Sequence, residues 1–268
     1  VIRSSVVAEQ NETNATRLVE ALVKADTVRV PDIVKQLGDY RKWADPLLEC
    51  NLSTSVDDSV EKLHLSLALL DQDQQQVDYL YRQLLQTESQ RFPVIRDALE
   101  KHQLALRERL WEVVAGREAD PRLERLHAAA ALAQYDPTSP LWNDAAVEVV
   151  SQLASISPVF LRDWMSALRP VREQLLPPLG VIYRDTIRRE SERSLVTEVL
   201  ADYAADKPEV LAELVKDADE TQFAVVFARL QEHGTAAIPL LESEFQRTLD
   251  WQDALQSLDI SNDSRLSL

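Results

Sequence analysis

Apolar side chains recur along this chain every three or four residues, the spacing that gathers them on one face of an α-helix. Phe160, Leu161, Trp164 and Leu168 form one such stripe, and Leu195, Val196, Val199, Leu200 and Tyr203 another. No segment alternates with the period of two that marks a half-buried strand. The spacing predicts helices over 13–25, 30–37, 45–51, 58–71, 73–88, 92–115, 120–135, 143–155, 158–169, 171–189, 191–205, 208–217, 220–232 and 235–257. Short connections between them match stacked helical hairpins.

Helix starts are written as a capping residue followed by proline, whose missing N–H costs nothing in a first turn. Asp45-Pro46, Asp120-Pro121, Asp136-Pro137, Ser139-Pro140 and Ser157-Pro158 have this form. Asp219 with Gln222 reads as a capping box opening a helix with Phe223, Val226, Phe227 and Leu230 inward, and Gly234 suits its C-terminal end.

Two internal echoes predict that the helices repeat. Pro46, Pro93 and Pro140 are each 47 residues apart, a spacing in the range of armadillo and HEAT-type arrays. Glu61-Lys62-Leu63-His64, Glu124-Arg125-Leu126-His127 and Glu192-Arg193-Ser194-Leu195 also align, the last two continuing to Tyr135 and Tyr203 at the same offset. The expected fold is all-α: stacked antiparallel helical hairpins in a HEAT/armadillo-like α-solenoid with degenerate repeats. A single elongated domain is expected over 12–260, with a soft boundary near 116–121 where Gly, charges and Pro meet. The polar ends 1–11 and 261–268 lack apolar periodicity and read as disordered.

Composition narrows this picture. Only 4 glycines in 268 residues argue against hairpin-rich sheets and against phosphate-cradling loops. A net charge of -16 disfavours a nucleic-acid or anionic-membrane surface. The acid is uneven, with 15 Asp or Glu against 5 Lys or Arg in residues 194–268. No apolar run reaches the roughly 18 residues of a membrane span, so no insertion by this segment is expected. The compartment stays open: cytoplasmic or, if the segment follows a membrane helix in a longer parent, extracytoplasmic. Cys50 alone permits no internal disulfide.

Candidate chemistry is sparse. His64, His102, His127 and His233 are far apart and there is one Cys, which is no zinc-ligand spacing; His64 and His127 share an echo position, so a structural role at equivalent sites is expected. Asp71 and Asp73 begin like a calcium loop, but Gln76 and Arg82 stand where its glycine and final acid belong. Acidic pairs such as Glu118 with Asp120, or Glu242 with Glu244, read as solvated surface. No catalytic residue, metal or cofactor is therefore expected. The densest basic feature is Arg162, Arg169, Arg172, Arg184, Arg188 and Arg189, followed by Arg193. It forms a candidate ridge for an acidic protein partner or phosphorylated segment. The competing reading pairs these arginines with the interleaved Asp163, Glu173, Asp185, Glu190 and Glu192. Trp43, Trp111, Trp142, Trp164 and Trp251 read mostly as core plugs.

Several strings carry a family likeness: Arg41-Lys42-Trp43-Ala44-Asp45-Pro46-Leu47-Leu48, Glu124-Arg125-Leu126-His127-Ala128-Ala129, Leu168-Arg169-Pro170-Val171-Arg172 with Leu175-Leu176-Pro177-Pro178-Leu179, and Leu200-Ala201-Asp202-Tyr203. Over roughly residues 17–245 the chain resembles a HEAT-like region of large bacterial multidomain proteins. That region lies between a serine/threonine protein kinase domain and a formylglycine-generating-enzyme-like domain. The resemblance implies a fragment of a larger kinase-associated protein and carries no functional residues to transfer. The expected role is a non-catalytic module for protein–protein interaction or interdomain scaffolding; the alternative is a ligand-sensing domain regulating an attached kinase. Partners are then proteins or neighbouring domains of the same chain, with the oligomeric state open.

Overall fold

The computed structural model describes residues 2–116, 122–243 and 246. Among them the chain is all-α, with no strand. The helices are α1 (Ile2–Lys24), α2 (Val30–Leu37), α3 (Arg41–Thr54), α4 (Val60–Leu69), α5 (Gln75–Gln86), α6 (Phe92–Leu99), α7 (Gln103–Val114), α8 (Arg122–Tyr135), α9 (Trp142–Leu153), α10 (Leu161–Leu168), α11 (Arg172–Arg184), α12 (Glu190–Tyr203), α13 (Pro208–Asp217) and α14 (Glu220–Gln231). Residues 237–243 are also helical.

A cassette recurs: a helix of eight residues, a 3-10 turn of three, then three further helices. It begins at α2, α6 and α10, with the 3-10 turns at Gly38–Tyr40, Glu100–His102 and Arg169–Val171. The buried positions coincide from cassette to cassette. Val30, Phe92 and Leu161 are 62 and 69 residues apart, and the same two steps relate Leu37, Leu99 and Leu168; Ala44, Leu106 and Leu175; and Leu48, Leu110 and Leu179. The apolar stripe thus continues through the 3-10 turn into the following helix. Each of the larger buried side chains contributes about 1.5–3 kcal/mol relative to exposure.

This period corrects one expectation and sharpens another. Pro46 lies inside α3, Pro93 in the first turn of α6, and Pro140 ahead of α9, so the 47-residue spacing joins three different places and is not a structural period. The Glu61, Glu124 and Glu192 echo instead marks the first turns of α4, α8 and α12, which hold the same place in the three cassettes. The expected helix over 92–115 is two helices split by the Glu100–His102 turn. No Gly or Pro announces that break.

Local chemistry explains most starts and stops. Ser59 Oγ accepts from the Lys62 N–H at 3.1 Å to cap α4. The Asp219–Gln222 capping box opens α14 as expected, and Gly234 takes φ 58° shortly after that helix ends. Of the proline pairs, Ser157-Pro158 does open a 3-10 turn running into α10, whereas Asp136-Pro137 lies in a turn ahead of α9. Asp120-Pro121 lies outside the described residues.

At the N-terminus the structure differs from the disordered lead expected over 1–11, because α1 starts at Ile2. That stretch is polar but holds no Gly or Pro, so nothing interrupts a helix anchored downstream by buried Ala15, Val19 and Leu22. The expected disordered end 261–268, the C-terminal half of the helix over 235–257, and Trp251 lie outside the described residues.

Contacts divide the chain into two compact units: Val1–Ser139 with Arg162–Pro170, and Pro140–Leu161 with Val171–Leu268. The division falls at Ser139/Pro140, and the stretch 116–121 is described only at Gly116. In unit 1 successive helices pack on one another, α7 on α8 and α3 on α4, and α5 reaches across to α8. In unit 2 α11 packs on α9 and α12, and α14 on α12 and α13.

Candidate functional site

Helix C-termini leave carbonyls without intrahelical partners, and buried side chains from neighbouring helices take them up throughout the molecule. His64 Nδ1–H donates to Leu22 O at 3.0 Å, near the end of α1, while its Nε2 accepts from Thr27 Oγ1 at 2.9 Å. His127 Nε2–H donates to Thr87 O at 2.7 Å, just past α5. Tyr135 Oη donates to Arg96 O at 2.5 Å, and Tyr183 Oη to Leu214 O at 2.9 Å. In unit 2 Gln222 donates to Tyr183 O at 2.9 Å and His233 to Ala205 O at 2.8 Å. Burial pushes the His64 pKa below its ordinary value and lifts the Tyr135 and Tyr183 hydroxyls above theirs. His64 and His127 therefore act as structural caps at equivalent places. Among the described residues no group of three His, Cys, Asp or Glu is placed to hold a metal ion.

The candidate arginine ridge is divided between the units, Arg162 and Arg169 in unit 1 and Arg172, Arg184, Arg188 and Arg189 in unit 2. Three of the six are held by carboxylates. Arg172 meets Asp206 at 2.6 Å, Arg184 meets Asp217 at 2.6 Å and Glu213 at 2.9 Å, and Arg188 meets Glu192 at 3.2 Å. Arg193, next in sequence, meets Asp219 at 2.5 Å. Arg162 and Arg189 are exposed, with no carboxylate within 4.0 Å among the described residues. Intramolecular pairing occupies the arginines on α11 and at the start of α12, so they do not present a free cationic row.

The structure instead brings together a site that the sequence reading missed. In unit 1 the short helices α2 and α6 form the walls of a groove, with the end of α4 as its floor. Val30 and Val34 line one wall, Val94 and Ala98 the other, and Leu67 and Leu70 the bottom, around a volume of about 320 Å³. Charge stands only at the rim: Lys35, Asp71, Asp97 and Lys101. Lys101 pairs with Asp71 at 2.9 Å, and Asp97 with Arg96 at 2.8 Å. Lys35 has no carboxylate within 4.0 Å among the described residues. The wall residues sit four apart on each helix, so each wall presents an aliphatic row. The cassette register held the only available signal: Val30 stands where the next cassette has Phe92.

Of the tryptophans, Trp142 and Trp164 are buried, Trp43 and Trp111 half-buried, and Trp111 Nε1 donates to Asp136 at 3.0 Å. Phe223, expected inward, is 42% exposed and stacks on Phe227 with ring centroids 4.9 Å apart.

Among the described residues no helix is long and apolar enough to cross a membrane. These features define an all-α helical-repeat protein. No protein-family model, curated protein or solved structure matches the chain. The likeness to kinase-associated bacterial proteins therefore rests on the strings quoted above.

Proposed function

We propose that this chain is a non-catalytic helical-repeat module that docks a protein partner, or a neighbouring domain of its own parent, in the groove between α2 and α6. One observation carries the reading: a concave apolar surface with a charged rim, framed by short helices that the fold repeats. Such a groove offers an apolar core and a polar border, the arrangement that protein interfaces use. In line with the resemblance, the module serves as a HEAT-like spacer in a larger bacterial protein.

A photo-crosslinking residue placed at Val34 or Ala98 tests this in cells of the source organism, with Asp144 on the outer side of α9 as control. The expected result is discrete adducts from the groove positions only, lost when Val94 is changed to Glu. Equal labelling from all three positions counts against the groove. The sensor reading uses the same groove, whose volume is at the small end of the roughly 300–1,000 Å³ of ligand clefts. A small-molecule screen that raises Tm, with no protein adducts from Val34 or Ala98, favours that reading instead.

A further inference from the structure

The groove's equivalent one layer further along unit 1 is closed, and what closes it indicates what the open one accepts. There Phe92 and His127 receive the indole of Trp164 from α10, with ring centroids 5.4 Å and 4.6 Å from it. The carboxylate just before it, Asp163, accepts a hydrogen bond from Ser89 Oγ at 2.7 Å. The register places Val30 at the position of Phe92 and Ile95 at the position of Trp164. Two rings are thus replaced by two smaller aliphatic side chains, and about 320 Å³ stays open beside them. Lys35 stands at the mouth without a carboxylate among the described residues, while the three other rim charges are paired.

We infer that the groove receives an aromatic anchor, Trp or Phe, from a segment of a partner protein, with an adjoining Asp or Glu on that segment pairing with Lys35. This rests on the docking reading above and states the chemistry of the occupant. An aromatic ring fits because it supplies a large apolar area with few rotatable bonds, the usual character of an interface anchor. The acidic neighbour fits because Lys35 is the rim charge left to be matched. The volume suits one or two side chains rather than a long segment.

The probe is a short fluorescein-labelled peptide with one Asp-Trp pair among Ala and Ser residues, titrated with the full chain and followed by fluorescence polarisation. Saturable binding with a Kd of roughly 0.1–1 mM is expected for a single anchor. Ala98→Trp, which fills the groove from within, weakens binding at least tenfold. Lys35→Glu weakens it several-fold, and the Asp-to-Asn peptide loses a similar factor on the parent chain but little on the Lys35→Glu variant. Circular dichroism and Tm confirm that each variant is folded. An absence of saturable binding up to about 1 mM overturns the inference, as does unchanged binding to a folded Ala98→Trp variant. If groove crosslinks capture a partner while the peptide does not bind, docking stands and the aromatic anchor falls; if the peptide binds and no partner is captured, the order is reversed.

Discussion

Within unit 1 the same short-helix layer is built twice with opposite results. Where α10 meets α6 and α8, Trp164, Phe92 and His127 form one cluster of rings and the interior is filled. Where α6 faces α2, aliphatic residues hold the equivalent positions and a groove remains. The backbone register is common to both, since 62- and 69-residue steps superimpose the buried stripes. Side-chain volume at two positions therefore decides whether a layer serves as core or as surface.

The largest effect is expected from opening the closed layer. Trp164→Ala should cost about 3–5 kcal/mol, the usual penalty for removing a buried ring without repacking. Ile95→Ala at the matching position should cost no more than about 2–4 kcal/mol. Urea denaturation of both variants measures the gap, and a larger loss for Ile95→Ala would break the comparison.

The histidine caps offer a second contrast. His64→Leu strands the Leu22 carbonyl and the Thr27 hydroxyl, and His127→Leu the Thr87 carbonyl; each should destabilise by about 1–3 kcal/mol. His64 makes two of these bonds, so its loss is expected to be the greater.

Next in size is a pH effect. Because burial lowers the folded pKa of His64 beneath its usual 6.5, the unfolded chain takes up that proton first. Stability from this group is complete above pH 6.5 and declines as pH falls from there to the lower folded value. Tm measured across this window should fall with pH, and less steeply in His64→Gln. Asp219, held below 3.8 chiefly by the Gln222 N–H, contributes stability above 3.8 that is lost only in more acidic solution. The two windows are separable.

The smallest effect is expected at the surface arginines. Arg184→Ala removes pairs with Asp217 and Glu213, yet the guanidinium is 39% exposed, so a change of about 0–1 kcal/mol is expected. A larger loss by thermal or urea denaturation would give these pairs a structural weight that the groove walls lack.

The legible part of the fold was what local periodicity encodes. The stripe over Leu195, Val196, Val199, Leu200 and Tyr203 is buried throughout, and the Asp219–Gln222 box caps as read. Glu61, Glu124 and Glu192 mark equivalent helices because the first turn of each inner helix meets the same surroundings. The proline spacing misled because proline is tolerated in several places, including Pro46, Pro177 and Pro178 inside helices. The 3-10 turn at Glu100–His102 was hidden because its apolar stripe runs on unbroken. The arginines looked like a surface because sequence does not show that Asp206, Asp217 and Glu213 lie opposite them. The groove was illegible for a related reason: a cavity is made of missing volume, and only the alignment of Val30 with Phe92 hints at it.

The ring cluster has a consequence for the order of synthesis. Unit 1 is completed by Arg162–Pro170, which the ribosome makes only after Pro140–Leu161 of the other unit has been added. Until Trp164 emerges, Phe92 and His127 wait without their cover, so the first half of the chain cannot finish folding on its own schedule. A nascent chain halted near Ser139 should bind chaperones that a chain halted well beyond Pro170 does not. Division into two units in space is thus not division into two steps in time.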